Sequence, residues 1–187
     1  MAGFDPRKWK DRAKSRHDRR AKRLSPADRL IESRQLNRDL DAVKGLEVLV
    51  DWCAFRRIGV DFTNKHPGGL YNPEEKVIYV NSVQGPERQL YVLLHECGHL
   101  LIDDKSETTE LRFKNGYYTD PEVKKKFIYR CTVLEEEFEA WHRGRKLATK
   151  LGIKINEELY DSLKGKFLKT YMLWALGDPK YKMGGPE

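Results

Sequence analysis

Few cysteines and no long apolar run narrow the kind of protein that this sequence can encode. Its 187 residues include three cysteines, Cys53, Cys97 and Cys131, which are too few and too far apart for a disulfide framework or a cysteine-only metal cluster. No apolar run approaches the roughly 18 residues that a membrane-spanning helix needs. A secretory signal would require an apolar stretch after the basic N-terminus, and the sequence has none there. We therefore expect a cytoplasmic protein without a membrane partner.

Positive charge is concentrated at the N-terminus. Residues 1–24 contain ten Lys and Arg residues against three Asp residues, a net charge of +7, whereas the remainder carries 26 basic and 26 acidic residues. This segment has too few large apolar residues to fold alone, so we predict a flexible basic arm. Such an arm can bind phosphates of DNA or RNA, or dock on an acidic partner. The candidate phosphate-binding residues are Arg7, Lys8, Lys10, Arg12, Arg16, Arg19 and Arg20.

Residues 25–187 are predicted to form one α+β domain. Ser25 is a good N-cap and Pro26 suits the first helical position, so a helix should begin there. We expect Gly45 to break this helix before a second one that ends near Arg57. Short strands are predicted at residues 58–62, 68–71 and 76–81, and further helices at residues 86–102, 122–151 and 156–176.

These elements predict a small twisted antiparallel or mixed sheet packed on a central helix, with long helices added at the C-terminus. Residues 103–120 are polar and poorly periodic, and we interpret them as a loop.

The sequence His95-Glu96-Cys97-Gly98-His99 lies within the helical pattern of residues 86–102. Residues four apart share a helix face, so His95 and His99 can bind one metal ion, and zinc is the usual ion for this pattern. Glu96 lies about 100° around the helix and can accept a proton from a water on the open side of the metal. Cys97 points into the protein, and Gly98 permits close approach of another backbone. The motif therefore predicts a metallopeptidase site with Glu96 as the catalytic base.

A catalytic zinc site needs a third protein ligand, and the helix at residues 122–151 is its best source. On a helical wheel Glu135 and Glu137 lie at the two edges of the apolar stripe, whereas Glu136 lies opposite to it. We predict Glu137 as the third ligand, with Glu135 and His142 as alternatives. The stripe is predicted to consist of Phe127, Cys131, Leu134, Phe138 and Trp141.

The order of elements resembles that of the ImmA/IrrE-type metallopeptidases of bacteria and mobile elements, including phages. The matching segments are Ile58-Gly59-Val60, Gly69-Leu70-Tyr71, Val77-Ile78-Tyr79-Val80-Asn81, Arg88-Gln89-Leu90, the HExxH motif and Glu137-Phe138-Glu139-Ala140. The resemblance covers about residues 46–150 and leaves 151–187 as a helical extension. It implies a zinc peptidase of the gluzincin type, in a bacterial or phage-infected cell, with the glutamate three before the alanine as third ligand. The sequence departs from the family at Trp141, where Asn or Asp is usual, and in the long segment between His99 and Glu137.

The leading hypothesis is hydrolysis of peptide bonds in a protein substrate, which the resemblance suggests is a DNA-associated regulator. Residues 76–81 are expected to form an edge strand that can bind an extended substrate. His142, Tyr117 and Tyr118 are candidates for stabilising the oxyanion. One alternative is a nucleic-acid-associated binding protein with a structural or vestigial zinc site. Another is a SprT-like protease acting on DNA-bound proteins, in which His142 would be the third ligand.

Overall fold

Helices and one small sheet make up the part of the chain that the computed structural model describes, which is residues 6–21, 25–66, 68–103, 127–178 and 180–181. The α+β class and the mixed sheet are as predicted. Within the described residues the elements are α1 (Pro6–Ala21), α2 (Pro26–Phe55), β1 (Gly59–Thr63), β2 (Gly69–Asn72), β3 (Val77–Asn81), α3 (Pro86–Asp103), α4 (Phe127–Lys150) and α5 (Glu157–Ala175).

The chain divides into two compact units, residues 1–93 and 94–187, and the division falls inside α3. The predicted separation of residues 1–24 from a domain at 25–187 stays a prediction. The predicted loop at 103–120, with Tyr117 and Tyr118, lies outside the described residues except for Asp103, which ends α3. None of the helices that the structure describes is long and apolar enough to cross a bilayer.

In the first unit, α1 is a helix where the sequence predicted a flexible arm. Lys10 Nζ lies 2.8 Å from Glu47 Oε2 on α2, and Arg20 Nε lies 2.9 Å from Glu32 Oε1. The prediction considered the segment alone, and a short basic helix is marginal in isolation. Acidic side chains on α2 supply the partners that the segment itself lacks.

Helix α2 begins as predicted but is not interrupted at Gly45. The Ser25 hydroxyl accepts a hydrogen bond from the backbone N–H of Asp28 at 3.2 Å. Gly45 is buried inside the helix beside the fully buried Leu46 and Leu49. A helical glycine costs roughly 1 kcal/mol relative to alanine, and burial of the flanking leucines outweighs that cost. The predicted break was therefore wrong.

Strand β3 occupies the centre of the sheet, whose order is β1-β3-β2. It pairs in parallel with β1 and antiparallel with β2. The hairpin from β2 to β3 turns at Asn72, whose side-chain oxygen accepts hydrogen bonds from the N–H groups of Glu74 and Glu75 at 3.1 Å. The prediction of residues 76–81 as a free edge strand was wrong, because β1 pairs with the side of β3 that the hairpin leaves open.

In the second unit, α3 and α4 approach so closely that two glycines are required. A Cβ atom built on Gly98 would lie less than 3.0 Å from the backbone of Ala140, and one on Gly144 would lie less than 3.0 Å from the carbonyl group of Leu94. Arg143 also donates a hydrogen bond to the Leu101 carbonyl near the end of α3. The close approach predicted at Gly98 is confirmed.

The buried face of α4 differs from the predicted apolar stripe. Phe127 and Phe138 are 60% and 44% exposed, whereas Trp141 is buried as expected. The face that is actually buried includes Ala140 and Gly144, which lie where α4 approaches α3 most closely. The buried residues of α4 are Tyr129, Thr132, Glu137, Ala140, Trp141, Gly144, Leu147 and Ala148.

Helix α5 begins close to the predicted position and is capped by Asn156, whose side chain accepts a hydrogen bond from the Leu159 N–H at 3.2 Å. Its buried Tyr160 donates a hydrogen bond from its hydroxyl to the Trp141 carbonyl at 2.8 Å. This bond and the aromatic contacts of Trp141 attach α5 to α4.

Alanine substitutions test the close approach of α3 and α4. Gly98→Ala and Gly144→Ala should each lower the free energy of unfolding by about 1–3 kcal/mol, since backbone atoms must move to accommodate a methyl group. Urea denaturation of each variant measures this change. Gly165→Ala in α5 is the matched control, because a Cβ atom there meets nothing within 4 Å. It should be neutral or stabilising by up to about 1 kcal/mol; equal effects at all three positions would contradict the packing argument.

Candidate metal centre

Helix α3 presents the two motif histidines side by side. His95 and His99 are one turn apart, their ring centroids are 4.7 Å apart, and their Nε2 atoms are 3.3 Å apart. Both rings therefore direct the same nitrogen to a common point, as the four-residue spacing predicts.

Helix α4 brings the carboxylate of Glu137 to the same point. Its Oε2 atom lies 3.2 Å from His95 Nε2, and its Oε1 atom lies 3.6 Å from His99 Nε2. Ligand atoms of these three residues all lie within 4.8 Å of one another, so they can hold one metal ion. The two alternatives for the third ligand, Glu135 and His142, are exposed on α4.

The chemistry of this group fits a divalent transition-metal ion. Glu137 is 7% exposed, and its Oε2 atom is buried without a well-aligned hydrogen bond to any residue that the structure describes. A buried carboxylate oxygen without such a bond needs a cationic partner. Two imidazole nitrogens and one carboxylate oxygen form a set that zinc and related metals accept.

The charges of His99 and Glu137 stabilise each other. Burial alone would lower the pKa of His99, but the carboxylates of Glu137 and Glu136 outweigh it and hold this pKa well above the usual value of 6.5. Burial alone would raise the pKa of Glu137, but His99 and His95 outweigh it and hold this pKa far below its usual range. These shifts favour the protonated form of His99 and the ionised form of Glu137.

Glu96, the predicted base, is 6% exposed and precedes His99 by three residues on α3. Its charge raises the pKa of His99 and that of Tyr171, so all three lie within electrostatic range of one another. The structure thus brings Glu96 into the same buried region as the metal-ligating candidates.

Glu136 contacts His99 at Nδ1, the ring nitrogen that is not directed toward His95 and Glu137. Its Oε1 atom lies 3.4 Å from His99 Nδ1, and its side chain is 19% exposed. Carboxylates in this position fix the orientation and tautomer of a ligating histidine. The wheel placed Glu136 away from the core, which was wrong because the buried face of α4 is rotated from the predicted stripe.

Trp141 covers His95 by stacking. The ring centroids are 4.5 Å apart at an interplanar angle of 25°. His95 Nδ1 is buried and has no hydrogen-bond partner among the described residues. Trp141 therefore restricts His95 by ring contact. Tyr160 and Phe167 of α5 pack against the same indole, at centroid distances of 5.2 and 5.8 Å.

Tyr171 on α5 also belongs to this region, and the sequence reasoning missed it. Burial, followed by the nearby charge of Glu137 and hydrogen bonding to that carboxylate, raises the pKa of Tyr171 far above its usual value of 10.0. The hydroxyl of Tyr171 therefore stays protonated at neutral pH. No motif in the sequence connects Tyr171 with the metal site.

The seven candidates for phosphate binding all lie on α1. Lys10 and Arg20 pair with carboxylates of α2, whereas Arg12, Arg16 and Arg19 are exposed. The structure does not describe the side chains of Arg7 and Lys8.

Comparison with known families agrees with this site. The family model described as the IrrE N-terminal-like domain, of the M78 peptidases, matches residues 59–160, more than half of the chain. The chain therefore belongs to this peptidase family, and the predicted resemblance is confirmed. Membership of a peptidase family implies a protein substrate. No curated protein and no solved structure matches the chain significantly.

Proton release on metal binding tests the charge state of the site. Because the pKa of His99 is raised above 6.5, a metal ion must displace a proton from His99 at neutral pH. Glu137 is already ionised and releases none. We expect about one proton per bound metal ion from His99 and an affinity that rises about tenfold per pH unit until the raised pKa is passed.

Calorimetric titration with Zn²⁺ or Co²⁺ in buffers of different ionisation enthalpy measures this release. In the metal-free protein the same raised pKa contributes stability that is present below about pH 6.5 and is lost as pH rises through the folded-state value. A binding enthalpy that does not depend on the buffer near pH 7 would contradict the assignment.

Proposed function

We propose that this protein is a zinc-dependent peptidase that hydrolyses peptide bonds of a protein substrate. The observation that supports it most directly is the convergence of His95, His99 and Glu137 beside the buried Glu96. Two imidazoles and one carboxylate would supply the three protein ligands that are typical of a catalytic zinc site, whereas structural sites usually have four. The family of the chain is consistent with this chemistry.

Each residue of the site has a separate proposed role in hydrolysis. His95, His99 and Glu137 would hold a zinc ion, which when bound would supply Lewis-acid chemistry for polarising the scissile carbonyl and acidifying a water. Glu96 accepts the proton of the attacking water and then delivers it to the leaving amine. His95, His99 and Glu137 hold the geometry, while Glu136 and Trp141 restrict the two histidines. Burial of the carboxylates strengthens each of these electrostatic interactions.

We further propose that the substrate is a DNA-associated regulatory protein. The support for this is the family resemblance together with the basic surface of α1. Candidate substrates of this kind can be recovered by searching for new N-termini in a bacterial lysate treated with the zinc-loaded protein.

Substitution of Glu96 separates catalysis from metal binding. Glu96→Gln keeps the size of the side chain but removes the base, so cleavage should fall by about 10²–10⁴-fold while zinc affinity is retained. A proteome-derived peptide library, analysed by mass spectrometry, detects the cleavage products. Glu135→Gln on the exposed face of α4 is the control and should cleave normally.

The outcomes of that experiment separate the proposal from its alternatives. Cleavage unaffected by Glu96→Gln would overturn the proposed role of this residue. Zinc binding without any cleavage by the wild-type protein would favour the structural or vestigial site. A SprT-like arrangement needs His142 as a ligand, yet this side chain is exposed on α4; loss of zinc in His142→Ala but not in Glu137→Ala would restore that alternative.

Binding of nucleic acid through α1 is a second proposed activity. Arg12, Arg16 and Arg19 project from one short helix and are exposed, as phosphate contacts require. Ion pairs of Lys10 and Arg20 with α2 reduce the charge that is left for a partner.

The salt dependence of DNA binding tests the role of α1. Replacing Arg12, Arg16 and Arg19 together by alanine should reduce the slope of log K against log salt by roughly 2.7, since each phosphate contact contributes about 0.9 for duplex DNA. Fluorescence anisotropy with a labelled random duplex at several salt concentrations measures the slope. A triple variant with an unchanged slope, or a wild-type protein that does not bind, would reject this activity.

A further inference from the structure

A cavity of about 410 Å³ lies between α1 and α2 in the first unit of the chain, and its volume is within the range of small-molecule sites. Helices that pack on each other usually bury apolar side chains at the spacing of one helix face. On α1 that spacing instead places Trp9, Arg12, Arg16 and His17 along the cavity. The wall is therefore largely charged and aromatic, a composition that favours a polar ligand over tight helix packing.

Two buried atoms of the cavity wall have no hydrogen-bond partner among the described residues. They are Nε2 of His17 and Oε2 of Glu32. The other polar atom of each side chain has a neighbour, because His17 Nδ1 lies 3.5 Å from Asp18 Oδ1 and Glu32 Oε1 lies 2.9 Å from Arg20 Nε. Buried polar atoms are seldom left unpaired in proteins. A ligand in this cavity can therefore donate a hydrogen bond to Glu32 and exchange one with His17.

Positive charge and an aromatic ring border the same cavity. Arg12 and Arg16 are exposed and form no ion pair within the part of the chain that the structure describes. Guanidinium groups bind phosphate through paired N–H donors. Trp9 is half-buried in the wall, and an indole is a common stacking surface for nucleobases.

We propose that this cavity binds a nucleotide. Its base stacks on Trp9 and donates a hydrogen bond to Glu32, and its phosphate contacts Arg12 and Arg16. An inorganic anion would use only the arginines, and an apolar ligand would leave the buried atoms of Glu32 and His17 unpaired.

This site is distinct from the proposed contacts of α1 with duplex phosphates, because a base can reach Trp9 and Glu32 only when it is not paired with another base. A free nucleotide and the phosphorylated end of a single strand share the required chemistry.

Calorimetric titration of the protein with AMP, GMP, CMP and UMP tests the site. For the nucleotide that binds most tightly, Trp9→Ala should raise the dissociation constant by about 5–150-fold because the stacking surface is lost. Arg16→Ala should raise it by about tenfold because one phosphate contact is lost. The corresponding nucleoside and inorganic phosphate should each bind the wild type less tightly than the nucleotide.

Lys14→Ala is the matched control. Lys14 is exposed on α1 and is not among the residues that line the cavity. This variant removes one positive charge from the same helix, as Arg16→Ala does, and should bind the nucleotide within twofold of the wild type. Equal losses of affinity in both variants would indicate general attraction to positive charge and would overturn the inference.

Comparison of ligands on the wild-type protein tests the site even where a variant disturbs α1, which far-UV circular dichroism detects. A wild type that binds none of the four nucleotides more tightly than inorganic phosphate would overturn the inference. Competition by a 5′-phosphorylated single strand at lower concentration than the nucleotide would support the end of a strand as the source, and competition by mononucleotides alone would support a free nucleotide. The proposed peptidase activity does not depend on these results, because none of its residues lines the cavity.

Discussion

The close approach of α3 and α4 at Gly98 and Gly144 is the constraint on which the candidate site depends. Without side chains at these two positions, the backbone of Ala140 reaches Gly98, and the carbonyl of Leu94 reaches Gly144. Glu137 lies one turn before Trp141 on α4, and the short distance between the helices lets its carboxylate reach the imidazoles of α3. A wider spacing would place this carboxylate out of reach of His95 and His99.

Because the two helices lie so close together, ionisable side chains of the site are buried, and their charges must be compensated. Glu137 and His95 are buried, and burial penalises an isolated charge. In the metal-free state the proton on His99 and the negative charge of Glu137 compensate each other, as the opposite directions of their pKa shifts indicate. A divalent cation can take the place of that proton, since the ring nitrogens and carboxylate oxygens already converge. The metal-free site is therefore charged but paired.

Around this group, aromatic packing and hydrogen bonding have separate functions. Trp141 restrains His95 through a stacked contact, and α5 supports the indole with Tyr160 and Phe167. Glu136 restrains His99 through its Nδ1 atom. The contacts of α5 with the indole thus help to fix the position of the ring that stacks on His95.

Several features of this protein can be predicted from residues that are close together in the sequence. The cap at Ser25, the turn at Asn72 and the spacing of His95 and His99 depend on neighbours within four residues, so the sequence alone predicts them. The family and the α+β class also followed from the sequence, through the motif and the order of elements.

Other features depend on contacts between residues that are far apart in the sequence, and only the tertiary structure reveals them. The pairing of β1 with β3, the continuity of α2 through Gly45 and the helical state of α1 each arise from contacts that a local pattern does not contain. The buried face of α4 was misjudged for the same reason: hydrophobicity favoured Phe127 and Phe138, but α4 buries a different set of residues that includes Ala140, Gly144 and the candidate ligand Glu137. Glu136 and Tyr171 carry no motif, and the packing of α4 and α5 alone brings them to the histidines and to Glu137. The sequence by itself therefore determined the chemistry of the site, and the packing of its helices decided which further residues surround it.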